Sequence, residues 1–120
     1  MKKICILLVS VFIFLSSACS QKSEDIMLIT SQSSPDGSYT VSLYQIGEPV
    51  WSFGPVRAKL VLENAKGETI DEESFQLFND GGDVFAENIE EVTWLENCVE
   101  ILMGESDTTR QYTYVLDYSK

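Results

Sequence analysis

The stretch Val56–Gly67, VRAKLVLENAKG, decides the fold of this chain. Apolar residues at positions 56, 58, 60 and 62 alternate with charged residues at positions 57, 59 and 63. A period of two places these two sets on opposite faces of a β-strand. The residues Asn64–Gly67 then form a turn, and a second strand runs through Ile70 towards Phe75 and Leu77. The stretch therefore predicts a β-hairpin with one buried face.

Similar signals lie on both sides of this hairpin. Further strands are predicted at Ile26–Thr30, Tyr39–Leu43, Val92–Trp94, Val99–Met103 and Tyr112–Leu116. No segment has a sustained helical period, although Asp83–Glu91 has room for a short turn of helix. Short strands joined by polar turns predict an all-β fold, a small antiparallel meander or sandwich of about six to eight strands.

The segment Ser31–Gly37, SQSSPDG, has the composition of a turn between the first two strands. Pro35 fixes its own φ angle, and Gly37 is free to take the left-handed conformation that most residues avoid. We therefore expect a tight turn immediately before Tyr39.

The beginning of the chain has the organisation of an export signal. Lys2 and Lys3 precede an apolar run that Ser16–Ser20 closes. An apolar run of about a dozen residues is too short to cross a bilayer, which needs roughly 20 helical residues. We predict a cleaved signal peptide at residues 1–18, a polar tether at 19–25 and a single antiparallel β domain at 26–120.

The charge of the chain argues against two classes of partner. The formal net charge is −11, from 19 acidic and 8 basic residues. Because Lys2 and Lys3 leave with the signal, six basic residues remain against nineteen acidic ones, a balance of −13. Such a chain repels nucleic acid and anionic lipid head groups. A solvated surface that keeps the domain soluble is the simplest role for this charge.

The segment Ser16–Cys19 resembles the lipobox of bacterial lipoproteins, although Leu15 stands one residue further from the cysteine than is usual there. The resemblance implies that Cys19 is lipidated and becomes the new N-terminus, which anchors the domain to a membrane. Ser20 in the next position implies the periplasmic side of the outer membrane in a Gram-negative cell. In a Gram-positive cell the site is the outer face of the cell membrane.

Cys98 is the only cysteine left once Cys5 departs with the signal and Cys19 carries lipid. The chain has no histidine, so Cys98 has no imidazole base to activate it as a nucleophile. We expect a small, partly buried residue at the start of a strand. If Cys19 stays unlipidated, a Cys19–Cys98 disulfide is the alternative.

The segment Ser34–Tyr39 carries two further resemblances. Its Ser-Pro-Asp-Gly start resembles the turn of periplasmic β-propeller repeats, and Trp94–Val99 stands in an equivalent place later in the chain. This pair of similar segments predicts two similar β-meanders packed together.

A second resemblance covers more of the chain. Together with Cys19, an apolar loop, the long hairpin and the strand at Val92–Trp94, the segment Ser34–Tyr39 resembles a group of small uncharacterised bacterial lipoproteins. That resemblance implies an anchored all-β domain and offers no activity.

The loop from Ile46 to Pro55, IGEPVWSFGP, interrupts the strands with apolar residues. One interpretation is that it folds over one end of the sandwich and plugs the core, which the usual burial of aromatic residues favours. The other is that it exposes Val50, Trp51 and Phe53 as a partner-binding surface.

Acidic residues supply the candidates for metal binding and catalysis. The loop Asn79–Asp83 contains Asp80 and Asp83 as candidate calcium ligands, but its spacing matches neither an EF-hand nor a nonapeptide repeat, so a plain turn is favoured. The pairs Glu90–Glu91 and Glu105–Asp107 are acid–base candidates only if a cleft separates them, and we expect them to be solvated.

Tyrosines on the last strand complete the set of candidates. The residues Tyr112, Tyr114 and Tyr118, with Tyr39 and Tyr44, suit either a ligand platform or packing on the sheet, and packing is favoured.

Taken together, these features of the sequence predict a membrane-anchored, non-catalytic envelope binding module without a cofactor, whose partner is another envelope protein or a small ligand. A calcium-binding or metal-dependent hydrolase-like protein is the alternative.

Overall fold

The structure, a computed structural model, describes residues 25–49, 54–79, 82–105 and 110–120. Within these ranges seven strands form two antiparallel sheets, which confirms the all-β prediction. The strands are β1 (Ile26–Ser33), β2 (Tyr39–Ile46), β3 (Val56–Asn64), β4 (Thr69–Leu77), β5 (Ile89–Trp94), β6 (Cys98–Gly104) and β7 (Gln111–Asp117). The first sheet has the order β1-β2-β3-β4 and the second the order β5-β6-β7.

The hairpin predicted from the alternating stretch is β3 and β4. Ala58 and Leu60 on β3 are fully buried, whereas Arg57 and Lys59 between them are half-buried. Leu60 pairs with Leu43 on β2, so the apolar faces of the central strands lie side by side. The period of two thus set the buried face as predicted.

One hydrophobic core joins the two sheets. Each sheet turns one apolar face towards the other, as in a sandwich. The buried cluster consists of Val41, Leu43, Val56, Ala58, Leu60, Leu62, Leu77, Val84, Val99, Ile101, Met103 and Leu116. At the margin β4 meets β7, where the rings of Phe75 and Tyr114 stack at 4.4 Å between centroids.

Hydrogen bonding makes β1 longer than the sequence predicted. Ser31–Ser33 was expected to begin the turn, but these residues continue β1. The hydroxyls of Ser31 and Ser42 are 2.9 Å apart and share a hydrogen bond across the two strands. The hydrogen bond between serine hydroxyls on neighbouring strands therefore replaces the local hydrogen bonds to the backbone that serine side chains make in turns.

The predicted turn itself is present at Gly37. Its φ angle is +77°, in the left-handed region, and its N–H donates to the carbonyl of Ser34 at 2.9 Å. The Ser34 N–H and the Tyr39 carbonyl close the turn at 2.8 Å. Gly37 was therefore identified correctly as the residue that allows the turn.

The turns and connections lie at two opposite ends of the domain. At the end that we call the tip, β1 leads into β2 and β5 leads into β6. At the end that we call the tether end, Ile26 begins β1 opposite Ile46 on β2. The chain therefore enters the domain at the tether end and first reaches the tip after Ser33.

Buried amides hold the connection between the two sheets at the tether end. Asn79 and Asn88 pair their side chains reciprocally, with Nδ2 to Oδ1 distances of 2.7 and 2.9 Å. Asn88 also donates to the Gly104 carbonyl at 2.8 Å and accepts from the Phe85 N–H at 2.7 Å. Gln45 on β2 accepts from the N–H of Val84 at 2.8 Å. These hydrogen bonds hold the segment that connects β4 to β5, which we call the crossover, against both sheets. We call Asn79, Asn88 and Gln45 the amide network.

The short turn of helix allowed for at Asp83–Glu91 is a 3-10 helix at Ala86–Asn88. Among the residues that the structure describes, no helix has the length and apolar character that a membrane crossing requires.

Candidate functional site

Several of the predicted site residues lie outside the described residues. These are the lipidation candidate Cys19, the partner-binding candidates Val50, Trp51 and Phe53, and the metal candidate Asp80. The loop that carries Val50, Trp51 and Phe53 is flanked by the strand ends Ile46 and Val56, and both strand ends belong to the tether end. These candidates therefore stay predictions.

The structure instead reveals a cleft at the tip. It has a volume of about 410 Å³ and opens between the turn after β1 and the turn after β5. Its lining consists of Ser34, Pro35, Asp36, Tyr39, Trp94, Leu95, Glu96 and Tyr118. A second hollow of about 400 Å³ shares Tyr39, Glu96 and Tyr118 with it and adds Asn97, Asp117 and Ser119. Because the two hollows share these lining residues, we call them together the tip cleft.

Aromatic rings form the apolar part of the tip cleft. Tyr39 from β2 and Tyr118 after β7 stack with ring centroids 4.3 Å apart and planes inclined by 7°. Trp94 is half-buried at the end of β5, and Leu95 beside it is 44% exposed. The stack joins the two sheets at the tip, and the exposed Leu95 leaves apolar surface open to a ligand.

Carboxylates stand around this apolar surface. Asp36, Glu96 and Asp117 come from three different segments. The N–H of Ser38 and the hydroxyl of Ser34 donate to Asp36, at 3.0 and 2.8 Å to Oδ1. These hydrogen bonds hold the pKa of Asp36 below its usual value, because they stabilise the ionised form.

Asp117, which lines the second hollow of the tip cleft, is held in the same way. Its Oδ1 accepts from the N–H of Ser119 at 2.8 Å and from the Ser119 hydroxyl at 2.7 Å. These hydrogen bonds lower the pKa of Asp117. Both groups keep their negative charge as the pH falls from neutral towards the ordinary aspartate pKa of about 3.9.

Tyr118 has the opposite shift. Burial raises its pKa, and the nearby Cys98, Tyr39 and Asp36 add to the effect. Its hydroxyl is therefore neutral at physiological pH and can donate a hydrogen bond.

The metal candidate that the structure describes, Asp83, has hydrogen-bonding roles. Its Oδ1 accepts from Nε2 of Gln45 at 3.1 Å, and its carbonyl accepts from Nδ2 of Asn79 at 2.9 Å. Within the described ranges no three histidine, cysteine, aspartate or glutamate residues gather as a metal site would require. Asp83 thus helps to fix the crossover next to the amide network.

Of the predicted carboxylate pairs, Asp107 lies outside the described residues, and the other members divide into exposed and buried residues. Glu90 and Glu91 are exposed, as expected. The prediction that Glu105 is solvated is wrong, because its side chain is only 1% exposed. It accepts from the N–H of Phe78 at 3.1 Å and pairs with Nε of Arg110 at 3.3 Å. A cation five residues further along the chain and a backbone donor from a distant segment compensate this buried charge.

The tyrosine prediction is confirmed for the residues that pack. Tyr39, Tyr114 and Tyr118 lie against the hydrophobic core, whereas Tyr112 is 39% exposed. Packing and a ligand surface are not exclusive, since Tyr39 and Tyr118 also line the tip cleft. Cys98 is a half-buried free thiol at the start of β6, as expected.

Sequence reasoning missed the tip cleft itself. The signal is present in the sequence, because Ser34–Tyr39 and Trp94–Val99 stand in equivalent places. The structure brings the turns of both segments to one cleft. Taken by itself, each segment predicts a turn and no binding site.

Comparison with known proteins adds no relative. No protein-family model matches the chain, and no curated protein or solved structure resembles it significantly.

Proposed function

We propose that this protein is a lipid-anchored, non-catalytic binding module of the bacterial cell envelope that contacts its partner through the tip cleft. The signal-like N-terminus ending at Cys19 supports the anchor. The observation that carries the binding role is the position of the tip cleft, at the end of the domain opposite to the entry of the chain.

The distances fit such an arrangement. From Cys19 to Ile26 the chain can span at most roughly 25 Å, which keeps the tether end close to the bilayer. β1 then runs for eight residues, or roughly 26 Å at 3.3 Å per residue, before the chain reaches the tip. An anchor at Cys19 thus leaves the tip free to face away from the membrane, where a soluble or membrane-bound partner can approach it.

The anchor is tested with the Cys19→Ser variant expressed in a bacterial host. We expect the native chain in the membrane fraction, with the mass of residues 19–120 plus acyl chains, and the variant in the soluble fraction. Acyl chains account for this difference, because each buried methylene contributes about 0.8 kcal/mol to membrane binding. A variant that stays with the membrane contradicts the anchor.

The binding role is tested by cross-linking at two exposed apolar positions. A photoreactive residue in place of Leu95 lies in the tip cleft, and one in place of Phe85 lies near the tether end with matched exposure, 44% against 45%. We expect a defined envelope protein to cross-link from position 95 and not from position 85. Equal labelling from both positions, or none from position 95, contradicts binding through the tip.

A further inference from the structure

We propose that the tip cleft binds a basic side chain, arginine or lysine, carried by a peptide segment of a partner protein. This inference rests on the proposed binding function and adds the chemistry of the ligand.

The apolar surface of the tip cleft suits the stem of a basic side chain. Lysine and arginine combine a flexible apolar stem with a charged end, and the stem readily lies along apolar surface. Leu95 and the indole of Trp94 offer such a surface beside the Tyr39–Tyr118 stack. The faces of aromatic rings also attract cations, most strongly for tryptophan.

The charged residues that line the tip cleft are all acidic, and Lys120, just outside this lining, interacts electrostatically with Asp117. Asp36, Glu96 and Asp117 line the cleft, and none of its described lining residues is basic. Glu96 makes no hydrogen bond or ion pair with another described residue, so its carboxylate is open to a ligand. Complementary charge of this kind guides association and selects partners. It matches a cationic ligand and rejects nucleic acid and phosphate.

The two aspartates are already oriented in the unliganded protein. Asp36 is fixed by the hydrogen bonds from Ser34 and Ser38, and Asp117 by those from Ser119. A ligand that binds oriented carboxylates loses less free energy to ordering the site. Because the three carboxylates come from three different segments around the tip cleft, a peptide with several basic residues can contact more than one.

The test uses a fluorescent peptide of six arginines and, as its neutral counterpart, a peptide of six citrullines. Both are titrated against the full chain in mild detergent at low and physiological salt. We expect the arginine peptide to bind at least about tenfold more tightly than the citrulline peptide, and more weakly at the higher salt. Chemical shift changes in nuclear magnetic resonance spectra are expected around Trp94, Leu95 and Tyr118.

Two matched double variants distinguish binding of the arginine peptide in the tip cleft from a general effect of the acidic surface. The double variant Asp36→Asn/Glu96→Gln removes two charges and keeps the Oδ1 acceptor at position 36, and we expect at least about tenfold weaker binding of the arginine peptide. Glu87→Gln/Glu63→Gln removes two charges from outside the cleft, and there we expect a change below about twofold. Circular dichroism and the melting temperature confirm that each variant is folded.

Three results would overturn the inference. These are equal binding of the citrulline peptide, equal weakening in the two double variants, and shift changes that map away from the tip. If any of them occurs while a partner still cross-links from position 95, the ligand class is wrong and the binding module stands. If cross-linking from position 95 also fails, the proposed function fails with it.

Discussion

Replacement of Asn88 by alanine is expected to lower the free energy of unfolding by about 3–5 kcal/mol, because it leaves several buried groups unpaired at once. Asn88 is 4% exposed and takes part in four hydrogen bonds, two with Asn79 and one each with Phe85 and Gly104. Each buried donor or acceptor left without a partner costs about 1–3 kcal/mol. The reduced connection between the two sheets adds to the loss.

Urea denaturation followed by circular dichroism measures this effect. Gln32→Ala serves as the control, since it removes an amide from an exposed position on β1 and is expected to change stability by less than about 0.5 kcal/mol. Asn79→Ala combined with Asn88→Ala is expected to cost much less than the sum of the two single changes, because they share a pair of hydrogen bonds. A loss below about 1 kcal/mol for Asn88→Ala would mean that the amide network is dispensable.

Replacement of Arg110 by alanine is expected to cost about 2–3 kcal/mol, because it leaves the carboxylate of Glu105 buried without its cation. The expected loss is smaller than for a fully buried pair, since the Arg110 side chain is 54% exposed and water screens the interaction. The guanidinium also lies 5.6 Å from the ring centre of Phe78, and this cation–π contact is lost as well.

A second variant distinguishes the effect of the buried Glu105 charge from the loss of the contacts that Arg110 makes. In Arg110→Ala/Glu105→Gln the buried group is neutral and its amide oxygen can still accept from the N–H of Phe78. We expect this double variant to be more stable than Arg110→Ala by about 1 kcal/mol. Lys66→Ala, at an exposed turn, is the control and is expected to stay within about 0.5 kcal/mol of the native protein. A double variant less stable than Arg110→Ala would contradict a role for the buried charge.

The sequence predicted those parts of the fold that depend on local patterns. The alternation around Leu60 identified the central hairpin, and Gly37 identified a turn, because both are determined by neighbouring residues. The extension of β1 through Ser33 was missed, since its pairing with β2 depends on residues further along the chain.

The long-range contacts were out of reach of the sequence. The buried carboxylate of Glu105 accepts from the N–H of Phe78, which follows β4 in the other sheet, and this approach depends on how the two sheets pack. The pairing of Asn79 with Asn88 and the stacking of Tyr39 on Tyr118 likewise need the tertiary structure. The tip cleft depends on that same packing, which is why its residues appeared in the sequence only as turns and strand ends.

The simple order of the strands has a consequence for how the chain folds. Every described strand pairing joins neighbours along the chain, so each hairpin closes a short loop and loses little entropy in doing so. Low contact order of this kind favours rapid folding for an all-β protein. The apolar face of the first sheet, with Leu43 and Leu60, still needs β6 to cover it. While the chain is being synthesised, this half-formed sheet is therefore the species most exposed to aggregation.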